Sequence, residues 1–434
     1  MRAPVPLVPL VGLVALAATG ARADWPEFRG PRGNGHAAAP GDRTPLGLPL
    51  RWSETENVTW RTPIPHRGWS TPVILRGQIW LTTATRDGHD FFVIRLDART
   101  GRIDLNRRLF HADEPEPLGN NVNGYASPSP VIEPGRVYVH FGSYGTACLD
   151  TATAKVLWQR TDLPCRHYRG PASSPVLFEN LLILSFDGVD VQYTVALDKT
   201  TGRTVWKTDR STVWRDLDAQ GKPKREGDFR KAFCTPLVVD AGGTPLMISL
   251  GAKAAFAYDP RTGREIWKTH HTGHSSSPRP VFGHGMAFVT TGLGTTEMWA
   301  IRVDGRGDVT DTHVAWKARR DIPGLSSPLL VGDLLYMVND RGAASCRDAR
   351  TGKLVWKQRI GGNYAASPIY ADGRLYFCNQ QGKTTVLKPA RTCQILATNR
   401  LDTGLMASPA VAGRALLLRT KTHLYRIEAQ AHRP

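Results

Sequence analysis

The chain has 434 residues, of which 56 are Lys or Arg and 38 are Asp or Glu, so its formal net charge is +18. A basic surface can bind nucleic acid, anionic lipid or acidic polysaccharide. The basic residues are spread along the chain without a long Lys/Arg run, which argues against nucleic-acid binding and is equally typical of an ordinary solvated basic surface. The length is ample for a large core, and after the first residues no stretch is long and apolar enough to span a membrane.

The first 23 residues have the pattern of an export signal. Arg2 supplies the positive charge, an apolar run extends from Val5 to Ala18, and Ala21-Arg22-Ala23 fits the small-x-small cleavage rule. The apolar run is shorter than the roughly 20 residues that a membrane span needs, which favours cleavage over anchoring. No Cys lies near the cleavage point, so a lipid anchor has no support. We expect an exported protein, periplasmic or extracellular.

Residues 24–50 are rich in Gly and Pro and are predicted to be a lead-in to the folded domain. Gly30, Gly33 and Gly35 superficially resemble a phosphate-binding loop. No Gly-Lys-Ser/Thr follows them, and no strand leads through them into a helix. We therefore interpret this stretch as flexible rather than as a nucleotide site.

Residues 51–427 repeat a phrase that marks the start of a unit: Ser or Thr, then Pro, then apolar residues. Pro is tolerated at the first residue of a strand, where its missing N–H costs no ladder bond. The eight starts are Ser70-Thr71-Pro72, Ser129-Pro130, Ser174-Pro175, Thr235-Pro236, Ser277-Pro278, Ser327-Pro328, Ser367-Pro368 and Ser408-Pro409. Fixed-period repetition of this kind predicts stacked units, each unable to bury its apolar face alone.

A second phrase ends the units: Asp, then Gly four positions later, then Trp eight positions after the Asp. The complete copies are Asp198…Gly202…Trp206, Asp259…Gly263…Trp267 and Asp348…Gly352…Trp356, and Trp316 is the Trp of the fifth unit. Asp150…Trp158 has Ala154 in place of Gly, and Asp97…Gly101 ends on Leu105. These residues are interpreted as structural: the Trp packs between units, the Gly allows a tight turn, and the Asp accepts backbone N–H groups there.

Each unit of about 40 residues contains four predicted strands, the size of one propeller blade. The eighth unit, from Ser408, has room for only three strands before the polar tail at 428–434. Residues around Trp60 resemble the missing fourth strand, and such a strand would remove an open sheet edge. The prediction is an all-β, eight-bladed β-propeller of four-stranded antiparallel blades, closed by an N-terminal strand and monomeric.

The six cysteines are expected to be free thiols rather than disulfides. Cys148 and Cys346 occupy the same slot in units four apart, on opposite sides of a ring of eight. Cys378 and Cys393 are assigned to the second and fourth strands of one unit, about 9.6 Å apart and beyond the roughly 7 Å limit for a disulfide. No Cys/His set has zinc spacing, and His271-x-x-His274 lacks a third ligand, so no metal site is predicted.

These repeat phrases resemble the PQQ-like (quinoprotein-type) β-propeller repeat family over almost the whole mature chain. The opening Trp25-Pro26-Glu27-Phe28-Arg29-Gly30-Pro31 is also similar to the N-termini of exported members. The resemblance implies one of two kinds of activity: dehydrogenases that hold PQQ and calcium on the propeller axis, or cofactor-free binding proteins such as the assembly factor BamB. The dehydrogenases typically carry two adjacent Cys over the cofactor, and BamB carries a lipid-bearing Cys; this chain has neither.

In this architecture the loops before the innermost strands face a central funnel, so their side chains should converge there and suit an anionic or sugar-like ligand or an extended peptide. The alternative is an ordinary polar loop face that binds no ligand. The side chains of these loops are mainly aromatic or basic, and two are amides. The predicted funnel residues are Arg67, Trp69, Asn123, Tyr125, Tyr168, Arg169, Arg230, Lys231, His271, His274, Asn363 and Tyr364.

No catalytic arrangement can be argued from spacing, so the sequence favours a non-catalytic binding or scaffold protein over an enzyme. We expect an exported, BamB-like propeller that binds a protein, a peptide or an anionic envelope ligand without a cofactor. The alternative is a quinoprotein oxidoreductase that uses PQQ with calcium to act on an alcohol or sugar. An enzyme of another class, for example one acting on carbohydrate, is a third hypothesis.

Overall fold

A computed structural model describes residues 24–119 and 122–429, and these residues form eight β-sheets. The predicted export signal at 1–23 and the end of the predicted tail at 430–434 lie outside the described residues. None of the helices in the described part is long and apolar enough to cross a membrane.

Seven of the sheets follow one another along the chain, each running from the axis outward. The first strand of the chain is β1 (Val58–Pro63). Blade 1 contains β2 (Val73–Leu75), β3 (Gln78–Ala84), β4 (Asp90–Asp97) and β5 (Ile103–His111). Blade 2 contains β6 (Val131–Glu133), β7 (Arg136–His140), β8 (Thr146–Asp150) and β9 (Val156–Arg160). Blade 3 contains β10 (Val176–Phe178), β11 (Leu181–Asp187), β12 (Gln192–Asp198) and β13 (Thr204–Asp209).

A short 3-10 segment, Lys224–Arg230, separates blade 3 from blade 4. Blade 4 contains β14 (Leu237–Asp240), β15 (Pro245–Leu250), β16 (Ala254–Tyr258) and β17 (Glu265–His270). Blade 5 contains β18 (Val281–Gly283), β19 (Met286–Thr290), β20 (Met298–Arg302) and, after β21 (Gly307–Asp308), β22 (Val314–Ala318). Blade 6 contains β23 (Leu329–Val331), β24 (Leu334–Val338), β25 (Ala343–Asp348) and β26 (Leu354–Arg359). Blade 7 contains β27 (Ile369–Ala371), β28 (Arg374–Cys378), β29 (Lys383–Lys388) and β30 (Gln394–Arg400).

Blade 8 closes the ring, because it takes three strands from the end of the chain and one from its beginning. Its strands are β31 (Ala410–Ala412), β32 (Ala415–Arg419), β33 (His423–Glu428) and β1. β1 pairs antiparallel with β33, with Trp60 opposite Arg426. The predicted eight-bladed propeller with an N-terminal closing strand is therefore confirmed.

In six of the eight blades, the outer strand carries a Trp that docks on the next blade around the ring. The Trp158 indole N–H donates to the Lys199 carbonyl at 3.0 Å, and its ring covers Gly202 in the turn before β13. A Cβ on Gly202 would lie 2.7 Å from that ring, and its φ of +73° is also unfavourable for other residues. Asp198 fixes the turn by accepting the N–H and hydroxyl of Thr201. The indole–carbonyl bond recurs at Trp60, Trp206, Trp316 and Trp356. The first three of these rings also cover a Gly of the next blade.

Blade 4 departs from the pattern because the corresponding turn of blade 5 is expanded. Trp267 donates to the Val303 carbonyl at 3.2 Å, and the residues that follow add β21 as a fifth, parallel strand at the edge of blade 4. Trp267 is consequently fully buried.

A ring of hydroxyls holds the innermost strands together at the axis. In blades 2, 3, 4, 6, 7 and 8 the residue before the strand-initial Pro accepts, through its hydroxyl, the N–H of the equivalent residue in the preceding blade. Ser129 and Ser174 are one such pair, at 2.9 Å. Blade 5 differs from the prediction, which began it at Ser277-Pro278. Its strand begins two residues later, after Arg279-Pro280, and the Arg279 N–H makes the ring contact to Ser327. A guanidinium therefore occupies the axial position that is a hydroxyl elsewhere.

The predicted flexible lead-in is instead an ordered segment that crosses the base of the propeller. It begins beside blade 1, where Trp25 pairs with Ile74, and it reaches blade 6, where Arg29 donates to the Pro328 carbonyl at 2.8 Å. The Arg279 guanidinium, at the propeller axis, donates to the Phe28 carbonyl at 2.6 Å and so connects blade 5 to the lead-in. The interpretation of this stretch as flexible was wrong because its glycines serve packing: a Cβ on Gly33 would lie 2.3 Å from the Arg279 guanidinium.

The cysteines lie within or beside the blades as unpaired thiols. Cys148, Cys165, Cys234, Cys346 and Cys378 are buried, and Cys393 is half-buried. Burial raises the pKa of the thiols of Cys148 and Cys378 to about 12, so neither is primed as a nucleophile. Cys393 precedes the fourth strand of blade 7 rather than lying on it.

Candidate functional site

An axial cavity of about 510 Å³ opens on the face opposite the lead-in. It is built from two kinds of loop, those that precede the innermost strands and those that join the second and third strands of a blade. All eight blades contribute, together with Phe28 from the lead-in. The lining residues include Phe28, Trp69, Val122, Asn123, Ser127, Arg169, Asp228, Lys231, Phe233, His274, Leu293, Leu325, Asp340, Ala365 and Met406.

The walls of the axial cavity are mostly apolar, and its floor is closed. Trp69, Phe233 and Met406 supply large apolar side chains, while the hydroxyl ring and Phe28 lie at the bottom. Val122 and Leu293 lie at the wall with 48% and 44% of their surface exposed. Apolar side chains held open to solvent in a concave site are typical of a surface that binds another molecule.

The charges of the axial cavity are concentrated on blades 3 to 6. Lys231 pairs with Asp228 from the preceding 3-10 segment, so these two charges offset each other. Arg169 stacks on Tyr168, with 4.6 Å from its guanidinium carbon to the ring centre. Among the described residues no carboxylate forms an ion pair with Arg169.

Two further polar groups of the axial cavity are affected by burial. The pKa of His274 is lowered to about 4, first by burial and then by Lys231 and Lys253, so the ring is neutral at neutral pH. Burial raises the pKa of Asp340, although its Oδ1 accepts the N–H groups of Gly324 at 3.0 Å and Leu325 at 3.1 Å. These contacts fix the direction of the carboxylate.

The structure brings five of the predicted funnel residues together in the axial cavity. They are Trp69, Asn123, Arg169, Lys231 and His274. The Asn123 amide nitrogen donates to the carbonyls of Arg169 at 2.9 Å and Gly170 at 3.0 Å, which ties the blade 2 loop to the blade 3 loop.

Three other predicted residues are buried outside the cavity, where they pack between blades. The Tyr125 hydroxyl donates to the Glu116 carbonyl at 2.7 Å, and its ring packs edge-on against Phe91. Tyr364 is fully buried in the core between blades 6 and 7. His271 packs edge-on against Trp299, and burial lowers its pKa to about 3.

The remaining predicted residues lie beside the cavity or away from it. Tyr168 supports Arg169 and Lys231 through its ring face. Arg230 is held by Asp216 and stacks on Trp214, so its charge is offset. Asn363 is exposed and donates its backbone N–H to Gln381.

A second cavity of about 550 Å³ adjoins the first between the loop tips of blades 7, 8 and 1. Trp69 and Met406 line both cavities, so the two form one continuous depression. The remaining lining residues of the second cavity are His66, Arg67, Thr85, Arg86, Gln380 and Lys421. The Arg67 guanidinium lies 5.0 Å from the Trp69 ring centre. We call this the off-axis cavity.

Sequence reasoning missed the cavity residues that do not lie before a Ser/Thr-Pro start. Asp340, Arg86 and Lys421 lie on turns between the second and third strands, and Phe28 comes from the lead-in. The turn residues could have been found by aligning these turns as a second repeated loop. Nothing in the repeats indicates that Phe28 reaches the axis.

Comparison with known proteins places this architecture among PQQ-like propellers. A family profile described as outer membrane protein assembly factor BamB matches residues 47–189 and 190–433. The chain is 24% identical over 217 residues to outer membrane protein assembly factor BamB of Yersinia pestis, covering 46% of this chain and 50% of that protein. The chain therefore spans about half the length of this curated relative.

Two solved structures have the same fold at low identity. BamB from Moraxella catarrhalis superposes with a TM-score of 0.56 at 12% identity, over 85% of this chain and 99% of that one. Quinohemoprotein alcohol dehydrogenase from Comamonas testosteroni superposes with a TM-score of 0.64 at 14% identity, over 96% of this chain and 82% of that one. At such identities the likeness shows the fold alone.

Proposed function

Because the chain belongs to the PQQ-like propeller family described as outer membrane protein assembly factor BamB, we propose that it is an exported, non-catalytic propeller that binds a protein partner at the axial cavity. The observation that carries this proposal is the cavity itself: all eight blades and the lead-in build a closed, mostly apolar depression that exposes Val122 and Leu293 at its wall. The apolar walls and fixed polar groups suit a side chain or segment of another protein.

The donor set of the cavity supports binding without a cofactor. Calcium takes six to eight oxygen ligands, whereas the described residues that line the axial cavity include two carboxylates, and Asp228 is already paired with Lys231. Among residues 24–119 and 122–429 no group of three His, Cys, Asp or Glu residues could hold a metal ion. No cysteine lines the cavity, so the adjacent pair typical of the quinoprotein dehydrogenases has no counterpart.

Site-specific photocrosslinking in the cell envelope tests this proposal. A photoreactive amino acid replaces Leu293 in the cavity wall or, as the control, Val205 on the outer strand of blade 3, where 53% of the residue is exposed. We expect a discrete protein adduct from position 293 that is lost when Trp69→Ala is added, and no such adduct from position 205. An adduct only from position 205 would place the binding surface on the rim.

A parallel measurement addresses the quinoprotein alternative. PQQ and calcium are added to the purified protein, and the quinone absorption band and dye-linked oxidation of alcohols and sugars are recorded. We expect neither to appear. Oxidation that is lost when Asp340→Asn is introduced would replace the binding proposal with an enzymatic one.

A further inference from the structure

The off-axis cavity is lined by positively charged side chains. They are Arg67, Arg86 and Lys421, and none of the described residues that line this cavity is a carboxylate. Among the described residues, neither Arg86 nor Lys421 forms an ion pair with a carboxylate. Arg86 lies close enough to Arg67 to contribute to lowering its pKa, after the larger effect of burial. Like charges gathered in this way are unfavourable unless another group neutralises them.

A buried cation two residues before Lys421 adds to the same field. Arg419 on β32 is only 2% exposed and donates to the Ser70 carbonyl at 2.9 Å and the Thr82 carbonyl at 3.1 Å. These neutral acceptors satisfy its N–H groups, but no carboxylate of the described residues neutralises its charge. Burial lowers its pKa to about 9, which still leaves it charged at neutral pH. A buried charge without a counter-ion is costly, and an anion bound above it would offset that cost.

The two adjoining cavities together suit a molecule that has an apolar part and an anionic part. Trp69 and Met406 belong to both, so a molecule that lies against them extends from the apolar axial cavity to the cations of the off-axis cavity. Arg169, which has no carboxylate partner among residues 24–119 and 122–429, adds a guanidinium to the wall of the axial cavity. The net charge of +18 would attract an anionic partner from a distance.

We propose that this depression recognises an acidic peptide segment of the partner, with apolar side chains in the axial cavity and carboxylates against Arg86 and Lys421. This inference rests on the proposed binding function and adds the chemistry of the segment and the off-axis residues that select it. A peptide fits better than a compact anion because the apolar walls and the cations lie in adjoining cavities, which only an extended ligand occupies together.

The test is direct binding of a short fluorescent peptide that alternates Asp and Glu with Leu and Phe. Its neutral counterpart, with Asn and Gln in place of the acids, is measured in parallel by fluorescence anisotropy. The test variant is Arg86→Glu with Lys421→Glu. The matched control is Arg99→Glu with Arg203→Glu, which makes the same charge change at exposed turns elsewhere on the blades.

We expect the acidic peptide to bind and the neutral one to bind at least about tenfold more weakly, with the test variant losing about tenfold or more and the control about twofold or less. Raising the ionic strength should weaken binding to the native protein and have little effect on the test variant. Inorganic phosphate and vesicles of anionic lipid should not compete. Equal losses in both double variants, or displacement by phosphate or vesicles, would overturn the proposal.

The outcomes separate this proposal from the broader one. If both peptides bind equally, and Trp69→Ala weakens both while the double Glu variant weakens neither, the axial cavity binds a partner but the acidic selectivity is wrong. If Trp69→Ala and Phe233→Ala leave both peptides and the envelope adduct unchanged, the axial cavity itself is not the binding surface.

Discussion

Blade 2 has two neighbours, and it meets them in different ways. Toward blade 3, the Trp158 ring lies on Gly202, as at the other regular interfaces. Toward blade 1, Leu105 stands where most other blades have Trp, and the facing turn carries Ala154 at a φ of 58°. Leu105 in place of Trp and Ala154 in place of Gly face each other across the same interface. Because Leu105 is smaller than a Trp, it leaves room for the methyl group of Ala154. The Trp and Gly of the repeat therefore contact each other between neighbouring blades, not within one blade.

The cores of the two interfaces also differ in the chemistry of their side chains. Between blades 1 and 2 the packing is aromatic, with Phe91 meeting Phe141 at 5.3 Å between ring centres. Between blades 2 and 3 two histidines are buried, and His140 packs edge-on against Phe186 at 5.3 Å. The first interface therefore relies on apolar contact, whereas the second also contains groups that can take up protons.

The largest expected difference comes from removing the interface side chains. Trp158→Ala should lower the free energy of unfolding by about 3–5 kcal/mol, because it deletes a buried ring and its bond to Lys199. Leu105→Ala should cost about 2 kcal/mol, since Leu105 is only partly buried. Urea denaturation measures both values, and equal losses would contradict the distinction between the interfaces.

The two turn residues should respond in opposite ways to a change of one methyl group. Gly202→Ala should cost about 2–3 kcal/mol, because the new methyl meets the Trp158 ring and the backbone has positive φ. Ala154→Gly should change stability by less than about 1 kcal/mol, because it relieves the same backbone while losing a small contact. A stability of Gly202→Ala close to that of the native protein would refute the packing role of this glycine.

Acid should weaken the blade 2–3 interface, where His167 accepts a hydrogen bond only while its ring is neutral. Burial lowers the pKa of His167 to about 4, and its Nε2 accepts the Ser143 N–H at 3.0 Å, a bond that a protonated ring cannot accept. The unfolded chain takes up this proton near pH 6.5, so the unfolding free energy falls as pH drops from about 6.5 toward 4, by up to about 1.4 kcal/mol per pH unit for this ring.

Equilibrium unfolding at a series of pH values measures this dependence. His167→Gln should flatten it by the contribution of one group, because an amide can still accept the Ser143 N–H without titrating. Phe110→Leu, in the blade 1–2 core, is the control: it should lower stability at every pH without changing the slope. An unchanged slope in His167→Gln would show that other groups determine the acid response.

The smallest expected effect is the coupling energy between positions 105 and 154, which face each other across the blade 1–2 interface. Leu105→Trp alone should be destabilising, because the indole would meet the Ala154 methyl, and Ala154→Gly should recover about 1 kcal/mol of that loss. A double-mutant cycle gives this coupling energy, and strictly additive changes would mean that the two positions do not contact each other.

The ring could be predicted from the sequence because its determinants repeat. Eight Ser/Thr-Pro starts set the number of blades, and a last unit one strand short indicated the closing role of the strand at Trp60. Blade 5 shows the limit: Ser277-Pro278 matches the phrase, yet Arg279-Pro280 occupies the structural position. Because two Pro-containing dipeptides follow each other, the sequence alone does not show which of them begins the strand. The bond from the Arg279 N–H to the Ser327 hydroxyl identifies the second one.

The site was predictable only where it follows the same repeat. Trp69, Arg169 and Lys231 were found because loops before equivalent strands converge on one axis. Tyr364 was misplaced because alternating residues of such a loop point into the cavity or into the core, and sequence spacing alone does not decide between them. Asp228 and Asp216, which offset Lys231 and Arg230, come from an insertion without a counterpart in other blades.

The lead-in across the base has a consequence for how the protein is made. Its contacts join residues far apart in sequence: Arg29 bonds to a carbonyl 299 positions later, and the Trp52 N–H to a side chain 347 positions later. The Pro328 carbonyl exists only once blade 6 has begun, and the Asn399 side chain only once blade 7 is almost complete, so these contacts must wait for most of the chain. Contacts of such long range slow folding. A chain that completes its ring only when its last strand arrives therefore remains open for much of its synthesis, a state compatible with passage through an export channel.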